Sequence, residues 1–278
     1  MKLSAGLSRR AAMMVLGALW LAMNVAFVAW PQPARRSETA PVRFGPLSAS
    51  TLKLYETPAE LHVAGQLPFR LLSPPAVATA GRFPLLVFLH GAGQRGRDNQ
   101  EQLRGLPEQM IQPDWRQRFP CFLLAPQCAE AGNWSEWMED LELLIARVCH
   151  DFPVDQQRVY LTGLSMGGFG SWELAARNPE RFAGVVPICG GGDISQAMRL
   201  KRVPIWAVHG EADEIVSVEN TRQMIQALRD AGGQPLYTEL AGVGHNSWSQ
   251  TYRNPRGVLQ WLFAQVNDRP SNPPQTSR

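Results

Sequence analysis

The chain has 278 residues, 45% of them hydrophobic, which suits one large α/β domain with a two-sided core better than two small ones. Its formal charge of +3 does not point to nucleic acid: Lys2, Arg9, Arg10, Arg35 and Arg36 contribute +5 ahead of the first acidic residue, Glu38, so the remainder carries −2. Cys121, Cys128, Cys149 and Cys189 lack the close paired spacing of a zinc module. An exported chain could oxidise some of them, while Cys121 and Cys189, inside apolar runs, read as buried thiols.

Residues 11–30 hold no charge and one polar interruption, Asn24. As a helix they would span about 30 Å, the thickness of a bilayer's hydrocarbon core. Three basic residues precede them, and Trp30 and Pro31 stand where an interfacial belt and a helix stop belong. Residues 1–36 therefore read as a membrane anchor or a cleaved signal, with the anchor favoured because small residues are hard to place at a cleavage site. Ser8-Arg9-Arg10 partly matches a twin-arginine signal. The expected location is extracytoplasmic, either anchored to the inner membrane or secreted. Residues 37–50 lack a hydrophobic period and form a tether; the domain spans 51–268, and 269–278 is a polar tail.

Short apolar runs at 51–55 and 67–72 predict an antiparallel lead-in to a sheet. From Pro84 the pattern changes. Continuous apolar runs at 85–89, 121–125, 159–161, 184–188, 204–208 and 236–240 predict strands buried on both faces. Between and after them, 135–149, 166–176, 218–231 and 255–266 have helical spacing. Strand alternating with helix predicts an α/β fold, a mostly parallel sheet covered by helices on both sides. Only some fifteen residues separate the run ending at Ile188 from the one beginning at Pro204, too few for a sizeable lid.

Gly163-Leu164-Ser165-Met166-Gly167 lies between a predicted strand and a predicted helix, the setting of a nucleophile elbow. The turn pushes the Ser165 hydroxyl out at the strand's C-terminal end, and the Met166 amide at the helix start faces any charge developing on a bound carbonyl. A serine needs a base, and His245 stands in a glycine-rich loop after the last predicted strand. The imidazole needs a carboxylate to fix its tautomer; Asp213, just after the penultimate strand, is the choice, with Glu211 and Glu214 as rivals. Ser165, Asp213, His245 is then the catalytic set. His90-Gly91-Ala92-Gly93 ends another strand: Ala92 is expected to supply the second oxyanion amide, with Gly91 close behind, and His90 a structural role. His209 is expected to brace its turn; His62 and His150 have no supporting context. Trp134 and Trp248 are candidate walls of a substrate pocket, whereas Trp206 fits a core position as well. Gly190-Gly191-Gly192-Asp193 lacks the Lys-Ser/Thr of a phosphate cradle. No metal-ligand pattern appears, and no cofactor is expected.

Leu89 to Gly96, Leu161 to Gly168, Val186 to Asp193, His209 to Asp213 and Gly244 to Trp248 together resemble the α/β-hydrolase superfamily, in its exported dienelactone-hydrolase-like and phospholipase/carboxylesterase-like branch, often called predicted peptidases. The resemblance covers roughly residues 67–263 and implies a Ser-Asp-His hydrolase without a cofactor. Gln94 stands where that family usually has Glu. The expected function is hydrolysis of a carboxylic ester, small molecule or polymer, through an acyl-enzyme. A serine peptidase with the same triad, or a membrane-tethered binding protein that keeps the scaffold without activity, are the alternatives. The expected partners are that substrate and the membrane, not nucleic acid; the sequence sets no oligomeric state.

Overall fold

The computed structural model describes residues 54–56, 67–75 and 81–269. All described residues belong to one compact unit, Arg43–Arg278. The expected anchor, the tether and nearly all of the polar tail lie outside the described residues, as does His62. Among the described residues no helix is long and apolar enough to cross a membrane.

Eight strands form one sheet in the order β1-β2-β4-β3-β5-β6-β7-β8. They are β1 (Tyr55–Glu56), β2 (Phe69–Leu72), β3 (Phe83–Leu89), β4 (Phe122–Pro126), β5 (Val154–Leu164), β6 (Gly184–Ile188), β7 (Trp206–Gly210) and β8 (Leu236–Leu240). β1 and β2 pair antiparallel, as expected of the lead-in, and β2 joins β4 the same way; every pairing from β4 to β8 is parallel. The order reverses at β3, whose next strand in the chain lies on one side and β5 on the other. Such a reversal opens a crevice at the carboxyl ends of the two strands. His90 follows β3 and Ser165 follows β5, so both chain ends emerge into it.

Alternation along each strand divides the core into two layers. Leu85, Val87 and Leu89 of β3, Phe122 and Leu124 of β4 and Val159 and Leu161 of β5 join one layer. Leu86, Phe88, Leu123, Ala125 and Tyr160 join the other. The first layer is closed by α3 (Met138–Asp151), α4 (Met166–Arg177) and α6 (Glu219–Asp230), the second by α1 (Leu106–Met110), α7 (Trp248–Arg253) and α8 (Val258–Phe263). Burying one such side chain contributes about 1.5–3 kcal/mol. α2 (Pro113–Arg118) buries none of its residues fully, though Trp115 stacks on Phe119, and α5 (Ala197–Leu200) is a single turn.

Two expectations need correction. β8 is an edge strand with no fully buried residue, and Leu236 is 45% exposed, so it is not buried on both faces. Its apolar run reads like a central strand because half of it still packs inward. The helix expected over 135–149 starts as a 3-10 turn, Trp134–Trp137, capped by the Asn133 side chain, and becomes α-helical from Met138.

Candidate active site

The bend between β5 and α4 carries its strain on the serine itself. Ser165 has φ 53 and ψ −117, a left-handed conformation costing a residue with a Cβ about 1–3 kcal/mol. It is held by the Ser165 amide, which donates to Ile188 O at 2.9 Å, and by the start of α4. Neither flanking glycine has a positive φ. A Cβ on Gly163 would overlap the Gly167 backbone, and one on Gly167 would overlap Leu89 O, so they allow β5, α4 and the end of β3 to touch.

His90 is fully buried and works as a brace. Its Nδ1 lies 2.7 Å from Gly91 O and must carry the hydrogen; its Nε2 accepts the Cys128 amide at 2.9 Å. Trp134 Nε1 donates to His90 O at 3.0 Å and the two rings meet edge to face at 4.9 Å. Burial, outweighing the Gly91 hydrogen bond, pushes the imidazole down to about 4. Trp134 is thereby corrected: at 1% exposure and locked onto His90, it supports the floor and forms no pocket wall. Trp248 does lie at the site, half-buried with its ring 5.3 Å from that of His245, edge to face.

Gln94 explains how the loop after β3 keeps its shape. Its Oε1 accepts the Gly91 amide at 3.2 Å, and its Nε2 donates to Glu101 O and Arg104 O at 3.3 and 3.2 Å. Gly91 is thus withdrawn as an oxyanion donor. Among the described residues no acceptor takes the amides of Ala92 and Met166, the two expected donors.

The three residues proposed from the motif converge. His245 Nε2 is 2.9 Å from Ser165 Oγ and its Nδ1 is 2.8 Å from Asp213 Oδ2. The Asp213 side chain is inaccessible, while that of His245 is 21% exposed. Asp213 Oδ1 accepts the amides of Ile215 and Val216, both at 2.9 Å. Burial raises this carboxyl, but hydrogen bonds from His209, His245 and the Val216 amide outweigh it and hold the group well below the usual carboxylate range. A permanently charged Asp213 fixes the Nδ1 proton of His245 and leaves Nε2 free to take one from Ser165. The rivals do other things: Glu211 accepts the Gly242 amide at 2.9 Å, and Glu214 is exposed.

Three neighbours were not assigned to the site by the sequence. His209, fully buried, does more than brace its turn: its Nε2 faces Asp213 Oδ2 at 3.2 Å and Val216 O at 3.0 Å, so it carries hydrogen and donates to both. Its Nδ1 lies 2.7 Å from Thr221 Oγ1. The spacing of four residues between His209 and Asp213 around a tight turn was a readable signal. Cys189, buried with φ 41, and Ser247, buried after His245, carry none. All four cysteines are free and buried, as expected of Cys121 and Cys189, and burial pushes the Cys189 thiol up to about 12.

With this sheet, elbow and residue order, comparison with known proteins is decisive. The dienelactone hydrolase family matches residues 127–253, from the end of β4 through α7. A crystal structure of a thermostable esterase is 39% identical, covers 72% of the chain and superposes with a TM-score of 0.68. The chain has the α/β-hydrolase fold. Curated relatives include a bifunctional acetylxylan esterase/xylanase of Neocallimastix patriciarum, 28% identical over 34% of the chain. Another is a probable inactive carboxylesterase of Oryza sativa subsp. japonica, 23% identical over 62% of the chain and 82% of that protein. The chain spans 59% of the thermostable esterase and 14% of the acetylxylan esterase/xylanase.

Proposed function

We propose that the chain is a serine esterase. Ser165 Oγ attacks the ester carbonyl as its proton passes to His245 Nε2, Asp213 holds the imidazolium, and the Ala92 and Met166 amides receive the oxyanion. His245 then returns the proton to the departing alcohol, and water repeats the sequence to release the acid. The observation that carries this reading is the unbroken line Ser165 Oγ, His245, Asp213 at 2.9 and 2.8 Å, ending at a serine in the strained elbow conformation. That line also favours an active hydrolase over a scaffold without activity, which would have no reason to hold a strained serine against a histidine. The named esterases among its relatives favour an ester over a peptide, and an acetylated or feruloylated carbohydrate is the first substrate to try.

Hydrolysis of short p-nitrophenyl esters by the purified protein tests the class. Ser165→Ala should abolish turnover, at least about a thousandfold, while the thermal transition stays nearly unchanged, because alanine keeps the Cβ and with it the same backbone strain. Turnover surviving in that variant would remove Ser165 from the mechanism. We place the domain outside the cytoplasm, carried there by residues 1–36. Deleting those residues should move activity from the membrane fraction to the soluble one with unchanged specific activity; full-length protein found soluble and starting near Pro31 would mean a cleaved signal instead.

A further inference from the structure

Behind the serine line lies a second set of donor atoms. Cys189 follows β6 and is fully buried, its amide donating to Val208 O at 2.9 Å. Its sulfur, a carboxylate oxygen of Asp213 and a ring nitrogen of His245 all lie within 4.8 Å of one another. A fourth group points to what they could share. The Ser247 hydroxyl is wholly buried and has no hydrogen-bond partner of ordinary geometry, yet it stands close enough to the Cys189 sulfur to favour its thiolate. A buried hydroxyl without a partner costs about 1–3 kcal/mol, and native structures rarely leave one so without a use.

We propose that Cys189 Sγ, Asp213 Oδ2 and His245 Nδ1, completed by Ser247 Oγ, form a zinc site whose occupation switches the hydrolase off. Zinc takes thiolate, imidazole and carboxylate together at about 2.0–2.3 Å in tetrahedral geometry, which asks for donors roughly 3–4 Å apart. His245 Nδ1 and Asp213 Oδ2 are already 2.8 Å apart, and the sulfur needs a shift of an ångström or so. One proton leaves on binding, from the Cys189 thiol; the hydrogen of His245 passes from Nδ1 to Nε2, and Ser247 keeps its own. The thiolate and the carboxylate then balance the dication, and the buried site is left neutral. Magnesium and calcium, which prefer oxygen alone, are excluded by the sulfur and the imidazole. His209 stays on Asp213 Oδ2 from the other side and orients the carboxylate, as outer partners of metal ligands do.

Inhibition follows from the atom the metal takes. With zinc on Nδ1 the neutral imidazole carries its one hydrogen on Nε2, facing Ser165 Oγ, so no lone pair is left to take the serine proton. This consequence, though not the site itself, rests on the proposed esterase reading.

Calorimetric titration of Zn2+ into the Ser165→Ala protein, which keeps all four donors, should show one site per chain. Adding Cys189→Ser should weaken it more than about tenfold, and Ser247→Ala less. Co2+ in the same protein should give a thiolate-to-cobalt charge-transfer band that disappears with Cys189→Ser. In the otherwise native chain, Zn2+ should stop ester turnover, EDTA should restore it, and Cys189→Ser should keep working at zinc concentrations that silence the native protein. Equal binding and inhibition with and without the thiol would put the metal elsewhere, for instance on the exposed His150 and Asp151 pair, and overturn the proposal. Binding through Cys189 with undiminished turnover would overturn the switch. A native chain that binds zinc through Cys189 but cleaves no ester supports the site and sinks the esterase reading.

Discussion

Gln94 occupies a position where a carboxylate would be expected, yet an amide is the better fit to what surrounds it. The side chain must accept one hydrogen bond, from the Gly91 amide, and donate two, to Glu101 O and Arg104 O, and glutamine does both with a single group. Gln94→Met keeps the volume and removes all three bonds, so the Gly91 amide loses its acceptor and Glu101 O and Arg104 O each lose a donor at the base of the loop. The expected cost is at least about 2 kcal/mol of stability, read from urea denaturation. Because the Ala92 amide sits on the same loop, kcat should fall by about tenfold to a hundredfold with KM little changed. A variant with native stability and native kcat would show that Gln94 does not set the loop. Ser165, Asp213 and His245 were legible in the sequence because each ends or follows a strand in a fixed chain order. Cys189 and Ser247 were not, because they come from distant segments that only the folded sheet brings together; the partners of Gln94 are close in the chain, but they sit in an irregular loop whose path no periodicity shows.

The segment from His90 to Arg104 ties β3 to β4 by a histidine that burial keeps neutral near pH 7. His90 Nε2 accepts the Cys128 amide, so a proton there would face another hydrogen, and burial holds the group near 4 against an ordinary 6.5. The folded state therefore binds fewer protons than the unfolded chain between those values, and stability must fall as pH drops from 6.5 towards 4. At about 1.4 kcal/mol per pH unit the loss is about 3 kcal/mol. Asp213 acts in a separate window: its depressed carboxyl contributes stability that is present above the ordinary value of 3.8 and is lost only as pH falls through its lower folded value. Denaturation midpoints at pH 7 and pH 4.5 should separate clearly for the native protein. With His90→Gln, less stable at pH 7, the gap should narrow; an unchanged gap would mean that other groups drive it. Among elements, β3, β4, β6, β7 and the inner half of β5 were legible as apolar runs, whereas β8, which carries Thr238 and Glu239, was placed correctly but not in its burial. Helices α1, α2 and α7 were not: five or six residues with proline in the first turn of α1 and α2 give too little period to detect.

At the scale of the molecule, the parallel sheet sets what can stand over the serine. In this architecture a cover is most readily built into the connection leaving the strand next to the elbow, here from Cys189 to Ile205. That connection holds one 3-10 turn, Ile194–Gln196, and the single turn of α5, with Ala197 and Leu200 buried in the core layer that also takes Met224 and Leu228 of α6. It is anchored to the flank of the sheet and is too short to fold over the crevice. The other segment able to reach the crevice, between β3 and β4, is pinned by Gln94, by the Arg104 and Glu101 ion pair at 2.6 Å and by the burial of Leu103 and Leu106. Among the described residues nothing is free to open at an oil-water surface. Initial rates on tributyrin should therefore rise smoothly with concentration and pass its solubility limit without a jump, and short acyl chains should be preferred to long ones. An abrupt increase at that limit, together with preference for long chains, would show that one of these segments lifts, and the stretch from Gln94 to Trp115 would be the one to immobilise next.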